Sequence, residues 1–209
     1  MNKKPESLLF LGKARDGHVD RAAEFCRRNF ASVQVVLGEW DDPLPAELQS
    51  GHWDCIISYL SRWIVPPPVL ERVACAINFH PGSPEYPGYG CNNFAIYEGA
   101  KIYGATCHHM APRVDTGAII AVSRFPVLSS DTGGTLLLRA YDYQLSLFYD
   151  VVARIIRGEA LPAVQERWSR KPFTRREFAV LGRVTADMEN AEVALRQRAT
   201  DVSALRRAR

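Results

Sequence analysis

The chain has 209 residues, of which 47% are apolar and 23% are charged, and its formal net charge is +3. This length fits one domain, and the composition is that of a globular protein rather than a disordered chain or a disulfide-stapled miniprotein. The five cysteines form no C-x-x-C pair, which favours reduced thiols, and no segment has the roughly 20 apolar residues of a membrane span. The first apolar run is also too short for a signal peptide. We therefore expect a cytoplasmic protein with no membrane partner.

Positive charge is concentrated late in the chain. Residues 166–209 contain 11 Lys/Arg and 6 Asp/Glu, whereas residues 1–165 contain 15 and 17. Such a run is usually a solvated helical face, and the alternative is an anchor for a phosphate-bearing ligand or RNA. Because base-stacking aromatic residues are almost absent after Phe178, nucleic acid is not expected as a partner.

The first eighty residues alternate between predicted strands and helices. Apolar and β-branched runs predict strands, whereas helical spacing and a first-turn proline predict helices. The strands are expected at 7–12, 32–37, 53–59 and 74–80, and the helices at 17–29 and 66–73. This alternation predicts an α/β fold with a doubly wound, mostly parallel sheet.

The second half begins with a shaped loop at 81–90, because PGSPEYPGYG contains three prolines and three glycines. A short helix, two strands and a long helix are then expected at 92–98, 102–110, 118–125 and 133–157. Apolar residues recur along the long helix with helical spacing, which predicts a face buried in the core. They are Leu137, Tyr141, Leu145, Phe148, Val152 and Ile155. We divide the chain into a catalytic domain, 1–160, and a short helical or irregular C-terminal extension, 161–209.

Polar residues follow the fourth predicted strand, where doubly wound sheets place their ligands. Asn78 and His80 are two residues apart and share one strand face. His108, His109 and Asp115 lie on the later strand and turn, and each of these residues could instead have a structural role. A metal site is not expected, because metal-ligand spacing is absent and adjacent histidines on a strand point to opposite faces. Nucleophile-elbow and phosphate-loop motifs are absent as well.

Five short motifs in order across 78–119 resemble the folate-dependent formyltransferases. They are N-x-H-P-G-S-P from Asn78, P-G at Pro87, A-I-x-x-G from Ala95, G-x-T-x-H-x-M from Gly104 and D-x-G-x-I from Asp115. The resemblance implies a Rossmann-like α/β fold and transfer of a formyl group from N10-formyltetrahydrofolate, as co-substrate, to a primary amine. It implies that Asn78, His80 and Asp115 form the catalytic group.

These residue types suit the implied chemistry. An amide at Asn78 can donate a hydrogen bond to the tetrahedral oxyanion, and a neutral His80 can accept the proton that the amine loses. Asp115 can orient His80, and no metal is needed. The resemblance also implies a folate pocket lined mainly by backbone on two segments. Its candidate residues are Arg62, Trp63, Ile64, Met110, Ala111 and Val114.

Three branches of the resembling family accept different amines. The glycinamide ribonucleotide branch has a Gly/Ser-rich loop after its first strand, whereas this chain has KARDG at 13–17. The methionyl-tRNA branch has a C-terminal tRNA-binding barrel, and the residues after Leu161 are too few to form one. We therefore expect a nucleotide-linked amino sugar as substrate, in surface polysaccharide biosynthesis. A methionyl-tRNA or other amine formyltransferase, and a non-catalytic folate-binding relic, remain as alternatives, and a homodimer stays open. Candidate substrate-binding residues are Ser83, Tyr86, Gly88, Tyr89 and Asn92, although Tyr86 and Tyr89 could equally pack the loop.

Overall fold

The protein forms one mixed sheet covered by helices on both faces. The computed structural model describes residues 4–207. The strand order is β2-β1-β3-β4-β5-β6, in which the first four strands run parallel and β5 and β6 are antiparallel to their neighbours. The strands are β1 Ser7–Lys13, β2 Ser32–Gly38, β3 Cys55–Tyr59, β4 Cys75–His80, β5 Ile102–His109 and β6 Ile119–Pro126. The expected doubly wound, mostly parallel α/β fold is confirmed.

Eight helices occur among residues 4–207. They are α1 Gly17–Asn29, α2 Ala46–Ser50, α3 Pro67–Leu70, α4 Cys91–Tyr97, α5 Gly133–Ile156, α6 Arg175–Leu181, α7 Asn190–Thr200 and α8 Ser203–Arg207. Helices α1 and α5 cover one face of the sheet, where Leu8 and Phe10 of β1 are buried. Helices α2 and α3 cover the other face, where Leu9 and Leu11 are buried. Both faces are covered, which explains why β1 is an unbroken apolar run.

Several predicted elements differ from the structure in extent. The third strand begins at Cys55 rather than at residue 53, because Trp53 turns away to donate its indole N–H to the carbonyl of Glu47 on α2. Helix α3 is confined to Pro67–Leu70, and α2 was not predicted. The tail contains three helices, of which α7 packs against α4 and α5. No helix within residues 4–207 has both the length and the apolar character to cross a membrane.

Only part of the apolar face of the long helix α5 is buried in the main core. Leu145, Phe148, Val152 and Ile155 are buried in the main core, as expected. Leu137 and Tyr141, however, line a cavity, so the prediction of a core position was wrong at Leu137 and holds only in part at Tyr141, which also packs against the core. The first turns of α5 bury Leu136 and Ala140 instead, in a smaller cluster with α4 and the tail.

Candidate active site

A cavity of about 1480 Å³ opens at the carboxyl ends of β1, β3 and β4. The strand order reverses direction between β1 and β3, so this is the switch point at which such sheets bind ligands. Its walls come from the loop after β1, the segment after β3, the first turns of α4 and α5, and the tail. The cavity therefore gathers residues that are far apart in the sequence.

Asn78, His80, His108 and Asp115 form one polar cluster at the cavity. Nδ1 of His80 lies 3.2 Å from Oδ2 of Asp115, and Nε2 of His108 lies 3.3 Å from Oδ1 of the same carboxylate. Nδ2 of Asn78 lies 3.1 Å from Nε2 of His108. The antiparallel register of β4 and β5 pairs Asn78 directly with His108. The structure thus brings the three candidate catalytic residues together and adds His108 between two of them.

Unusual backbone geometry holds Asp115 in place. Its φ is +48°, in the left-handed region that non-glycine residues seldom adopt, although Asp tolerates it better than most. The carboxylate also accepts a hydrogen bond of 2.8 Å from the backbone N–H of Gly88, whose φ is +90°. A Cβ at Gly88 would lie 2.4 Å from the carbonyl oxygen of Phe173, so only glycine fits between the tail and this carboxylate.

Both ring nitrogens of His80 face acceptors. Its Nδ1 faces the Asp115 carboxylate, and its Nε2 lies 2.9 Å from the carbonyl oxygen of Tyr86, so each nitrogen must donate. Burial lowers the pKa of His80, but the negative charge of Asp115 together with the contacts to Cys91 and the Tyr86 carbonyl outweighs it and raises this pKa to about 9. Burial also opposes ionisation of Asp115, yet the charge of His80 and the hydrogen bond from His108 hold that pKa at about 2. The structure therefore favours an imidazolium at His80 over the neutral ring expected from the resemblance.

His108 has a different arrangement. Its Nδ1 lies 2.8 Å from the carbonyl oxygen of His109 and donates to it. Its Nε2 faces both the Asn78 amide and the Asp115 carboxylate, so this nitrogen accepts from Asn78 in the neutral ring and donates to Asp115 in the protonated ring. A bulge in β5 between Cys107 and His108 sets this orientation, and the neighbouring His109 is exposed on the opposite face.

The candidate folate-binding residues all line the cavity: Arg62, Trp63 and Ile64 after β3, and Met110, Ala111 and Val114 before Asp115. Their folate-binding role stays a prediction. Arg62 is notable because its Nε is buried without a hydrogen-bond partner, while its guanidinium carbon lies 4.1 Å from the ring centroid of Trp40. Burial lowers the pKa of Arg62.

The candidate substrate-binding residues divide into two groups. Gly88, Tyr89 and Asn92 line the cavity, although the Asn92 amide also donates to the carbonyl of Gly133 at 2.8 Å. Ser83 and Tyr86 are buried outside the lining, where Tyr86 packs against Tyr103. For these two residues the geometry favours loop packing.

Sequence reasoning missed several residues at the cavity. His108 is a candidate within the G-x-T-x-H-x-M motif, but the sequence predicts no catalytic role for it. The end of β1 contributes Lys13, the first turn of α1 contributes His18, and the tail contributes Arg170, Lys171 and Arg175. No local pattern distinguishes these tail cations from other surface charges. Within residues 4–207, His, Cys, Asp and Glu side chains form no group of three that could hold a metal ion.

The buried His80–Asp115 pair predicts a pH-dependent stability. Because the pKa of His80 is raised from 6.5 to about 9, its stabilising contribution is complete below pH 6.5 and is lost as the pH rises through 9. Between about pH 6.5 and pH 9.5, the wild type should lose on the order of 3 kcal/mol of unfolding free energy relative to His80→Gln. Urea unfolding at both pH values measures this difference. Parallel pH dependences of the two proteins would contradict the ion pair.

Comparison with known proteins identifies the family. The sequence model of the formyl transferase family matches residues 34–152. The chain is 31% identical over 137 residues to the trifunctional purine biosynthetic protein adenosine-3 of Drosophila melanogaster, and 31% identical over 114 residues to methionyl-tRNA formyltransferase of Streptococcus pyogenes. These matches cover 64% and 54% of this chain, but only 10% and 37% of the two relatives.

Solved structures share the fold over nearly the whole chain. A sugar N-formyltransferase from Shewanella has a similar structure, with a TM-score of 0.75 and 20% sequence identity. The match covers 94% of this chain and 89% of that one. An N-formyltransferase from Helicobacter canadensis, in complex with folinic acid and dTDP-3-aminofucose, matches 95% of this chain and 80% of its own, with a TM-score of 0.72 and 21% identity. HypX from Aquifex aeolicus with tetrahydrofolic acid matches 96% of this chain and 35% of its own, with a TM-score of 0.74 and 21% identity. With more than half of its residues matched by the family model, the chain belongs to the formyl transferase family of enzymes.

Proposed function

We propose that the protein transfers a formyl group from N10-formyltetrahydrofolate to the amine of a nucleotide-linked amino sugar. The observation that carries this proposal is the cluster of Asn78, His80 and Asp115 beside one large cavity. In the reaction, the amine nitrogen bonds to the formyl carbon and the bond from that carbon to N10 breaks. The amine loses one proton and N10 gains one, so the products are a formamide and tetrahydrofolate.

The cluster can stabilise the tetrahedral intermediate without a nucleophilic side chain. Its negative charge develops on the formyl oxygen, and a preorganised amide donor such as Asn78 stabilises such a charge by roughly 3–4 kcal/mol. The imidazolium of His80 adds a fixed positive charge in a site from which water is largely excluded, since His80 and Asp115 are 5% and 4% exposed. Asp115 keeps that charge in place.

The proton of the amine needs a route to N10. His80 is already protonated and Asp115 is a weak base at a pKa of about 2. We assign the relay to His108, because its Nε2 can accept from Asn78 when the ring is neutral and donate to Asp115 when it is protonated, and because the residue borders the cavity. This assignment differs from the expectation that His80 itself is the base.

The size and charge of the cavity support a folate together with an anionic second substrate. At about 1480 Å³ it exceeds the range of roughly 300–1,000 Å³ that is usual for one small ligand. Its lining has an excess of Lys and Arg over Asp and Glu, including Arg170, Lys171 and Arg175 from the tail. A nucleoside diphosphate would complement this charge, and the Helicobacter canadensis neighbour was solved with such a sugar nucleotide.

The loop after β1 disfavours a substrate with a phosphate at the start of α1. The N-terminus of a helix as long as α1 ordinarily attracts phosphate. Here Asp16 occupies it, because its side chain accepts hydrogen bonds from the backbone N–H groups of His18 and Val19. The same carboxylate pairs with Lys13 at 2.7 Å. A ribonucleotide monophosphate placed at this helix would meet a fixed negative charge.

The test incubates the protein with N10-formyltetrahydrofolate and each of a panel of amines, and it measures the release of tetrahydrofolate. The amines are dTDP-, UDP- and GDP-linked amino sugars, glycinamide ribonucleotide and methionyl-tRNA. We expect turnover with one of the sugar nucleotides and its loss in His80→Ala. Turnover with methionyl-tRNA or glycinamide ribonucleotide alone would overturn the substrate class. Folate binding without turnover of any amine would overturn the enzymatic proposal in favour of a folate-binding relic.

A further inference from the structure

The tail passes behind the catalytic cluster and inserts one aromatic side chain against it. Residues 163–170 are exposed apart from Trp168. The ring centroid of Trp168 lies 5.1 Å from that of His108 and 5.8 Å from that of His80, at interplanar angles of 87° and 71°. Both contacts are edge-to-face arrangements of the kind that aromatic pairs prefer. Trp168 is not among the described residues that line the cavity, whereas His80 and His108 are, so it reaches the two imidazoles from the side away from the cavity.

The same indole is tied to the turn that carries Asp115. Its Nε1 donates a hydrogen bond of 2.8 Å to the carbonyl oxygen of Gly117, two residues after the carboxylate. A Cβ at Gly117 would lie 1.8 Å from the carbonyl oxygen of His109, so this turn is packed tightly against β5. One side chain therefore contacts both imidazoles and the backbone that positions their shared partner.

Neighbouring tail residues fix the indole in this place. The backbone N–H of Ser169 donates to the carbonyl of Pro84 at 3.1 Å, and Arg170 pairs with Glu98 at 2.7 Å. Phe173 stacks on Phe94 with ring centroids 3.8 Å apart. Because these contacts anchor the segment immediately after Trp168, they fix the position of the indole against the cluster.

We propose that Trp168 is a positioning residue for formyl transfer: it holds the imidazoles of His80 and His108 against Asp115 and keeps water out of the cluster. This inference rests on the proposed function for its kinetic consequences. The residue lies beyond the segment matched by the family model, which ends at residue 152. The tail thus contributes to the chemistry as well as to the cavity wall.

The inference predicts a change in titration as well as in rate. The titratable groups that face His80 are Asp115 on the turn after β5, His108 behind that carboxylate and Cys91 at the start of α4. Trp168 adds no charge, so its removal changes the access of water and leaves the charges unchanged. Water would weaken the attraction of Asp115, which lowers the pKa of His80 from about 9, and would relieve the burial that opposes the charged ring, which raises it. We therefore expect this pKa to shift in Trp168→Ala.

The experiment compares Trp168→Ala and Trp168→Phe with Trp53→Phe. Trp53 is the matched control, since its Nε1 also donates to a backbone carbonyl, that of Glu47, at 2.9 Å. Trp53 packs in the hydrophobic cluster beneath α2, away from the catalytic cluster. In Trp168→Ala we expect kcat to fall about 30- to 100-fold, with both KM values within about threefold of wild type. In Trp168→Phe the aromatic wall remains, so kcat should fall about three- to tenfold with the pH profile retained. Trp53→Phe should keep the wild-type kcat and pH profile.

Direct titration of the His80 ring by nitrogen-edited NMR provides a readout that does not require turnover. We expect its pKa to be shifted in Trp168→Ala and to be close to wild type in Trp168→Phe. An unchanged pKa together with an unchanged kcat in Trp168→Ala would overturn the inference. A reduced kcat with an unchanged pKa and pH profile would also overturn it, by showing a purely structural role. If Trp168→Ala does not fold, an unchanged kcat in Trp168→Phe decides against the inference. If the wild type fails to turn over any amine, the titration still tests the positioning role separately from the function.

Discussion

Asp115→Asn is expected to lower kcat by a factor of about 1,000 or more, because one carboxylate organises both imidazoles. Its two oxygens face His80 Nδ1 and His108 Nε2, and Oδ2 also accepts the N–H of Gly88. An asparagine amide carries no charge, and its NH₂ group would oppose one of these donors. The pKa of His80 would then fall, and the imidazolium that stabilises the oxyanion would be lost at neutral pH. Steady-state kinetics across pH 6–9 measures the effect.

The control for Asp115→Asn is a second buried carboxylate with a structural partner. Asp131 is 4% exposed, pairs with Arg139 and accepts the backbone N–H of Leu128 at 2.6 Å before α5. Both variants should be less stable, since removing one partner of a buried pair leaves the other charge unpaired. Only Asp115→Asn should change kcat per folded molecule. Equal losses of kcat in the two variants would show that the effect of Asp115 arises through folding.

Asn78→Ala is expected to lower kcat about 100- to 1,000-fold while KM for the amine changes little. The amide contributes only as charge develops on the formyl oxygen, so its loss raises the barrier without weakening ground-state binding. It also removes the neighbour of His108 Nε2 at 3.1 Å. Single-turnover measurement of the formyl-transfer step, compared with ligand affinity, separates these effects.

A matched asparagine is available for this second comparison. Asn29 donates its side-chain amide to the carbonyl of Phe25 at the end of α1, at 2.8 Å, and it is absent from the described cavity lining. Asn29→Ala should leave kcat and KM at wild-type values. A rise in KM with an unchanged kcat in Asn78→Ala would assign Asn78 to substrate binding, contrary to the oxyanion role.

Several features of the protein follow from the sequence because they depend on local periodicity. Leu8 to Leu11 in β1 are apolar at successive positions, and only a strand covered on both faces buries all of them. The alternation of such runs with helices is sufficient to predict the doubly wound sheet. Asn78 and His80 could be placed at a strand end, two residues apart, for the same reason. Asp115 and the folate-binding candidates required the family resemblance, since a turn aspartate and backbone-lined segments have no periodic signal.

The cluster around Asp115 was decided by tertiary structure. His108 meets Asn78 through the register of β4 and β5 and a bulge between Cys107 and His108, which side-chain patterns do not specify. Trp168 reaches the two imidazoles from a tail whose neighbouring residues are exposed. Leu137 and Tyr141 fit the core pattern of α5 but border the cavity, because helical periodicity fixes the direction of a side chain but not what lies opposite it. The charged state of His80 likewise depends on the burial and on the two acceptors that the folded chain supplies. The amino-acid sequence determined which residues could react, and the packing of distant segments decided their partners and protonation.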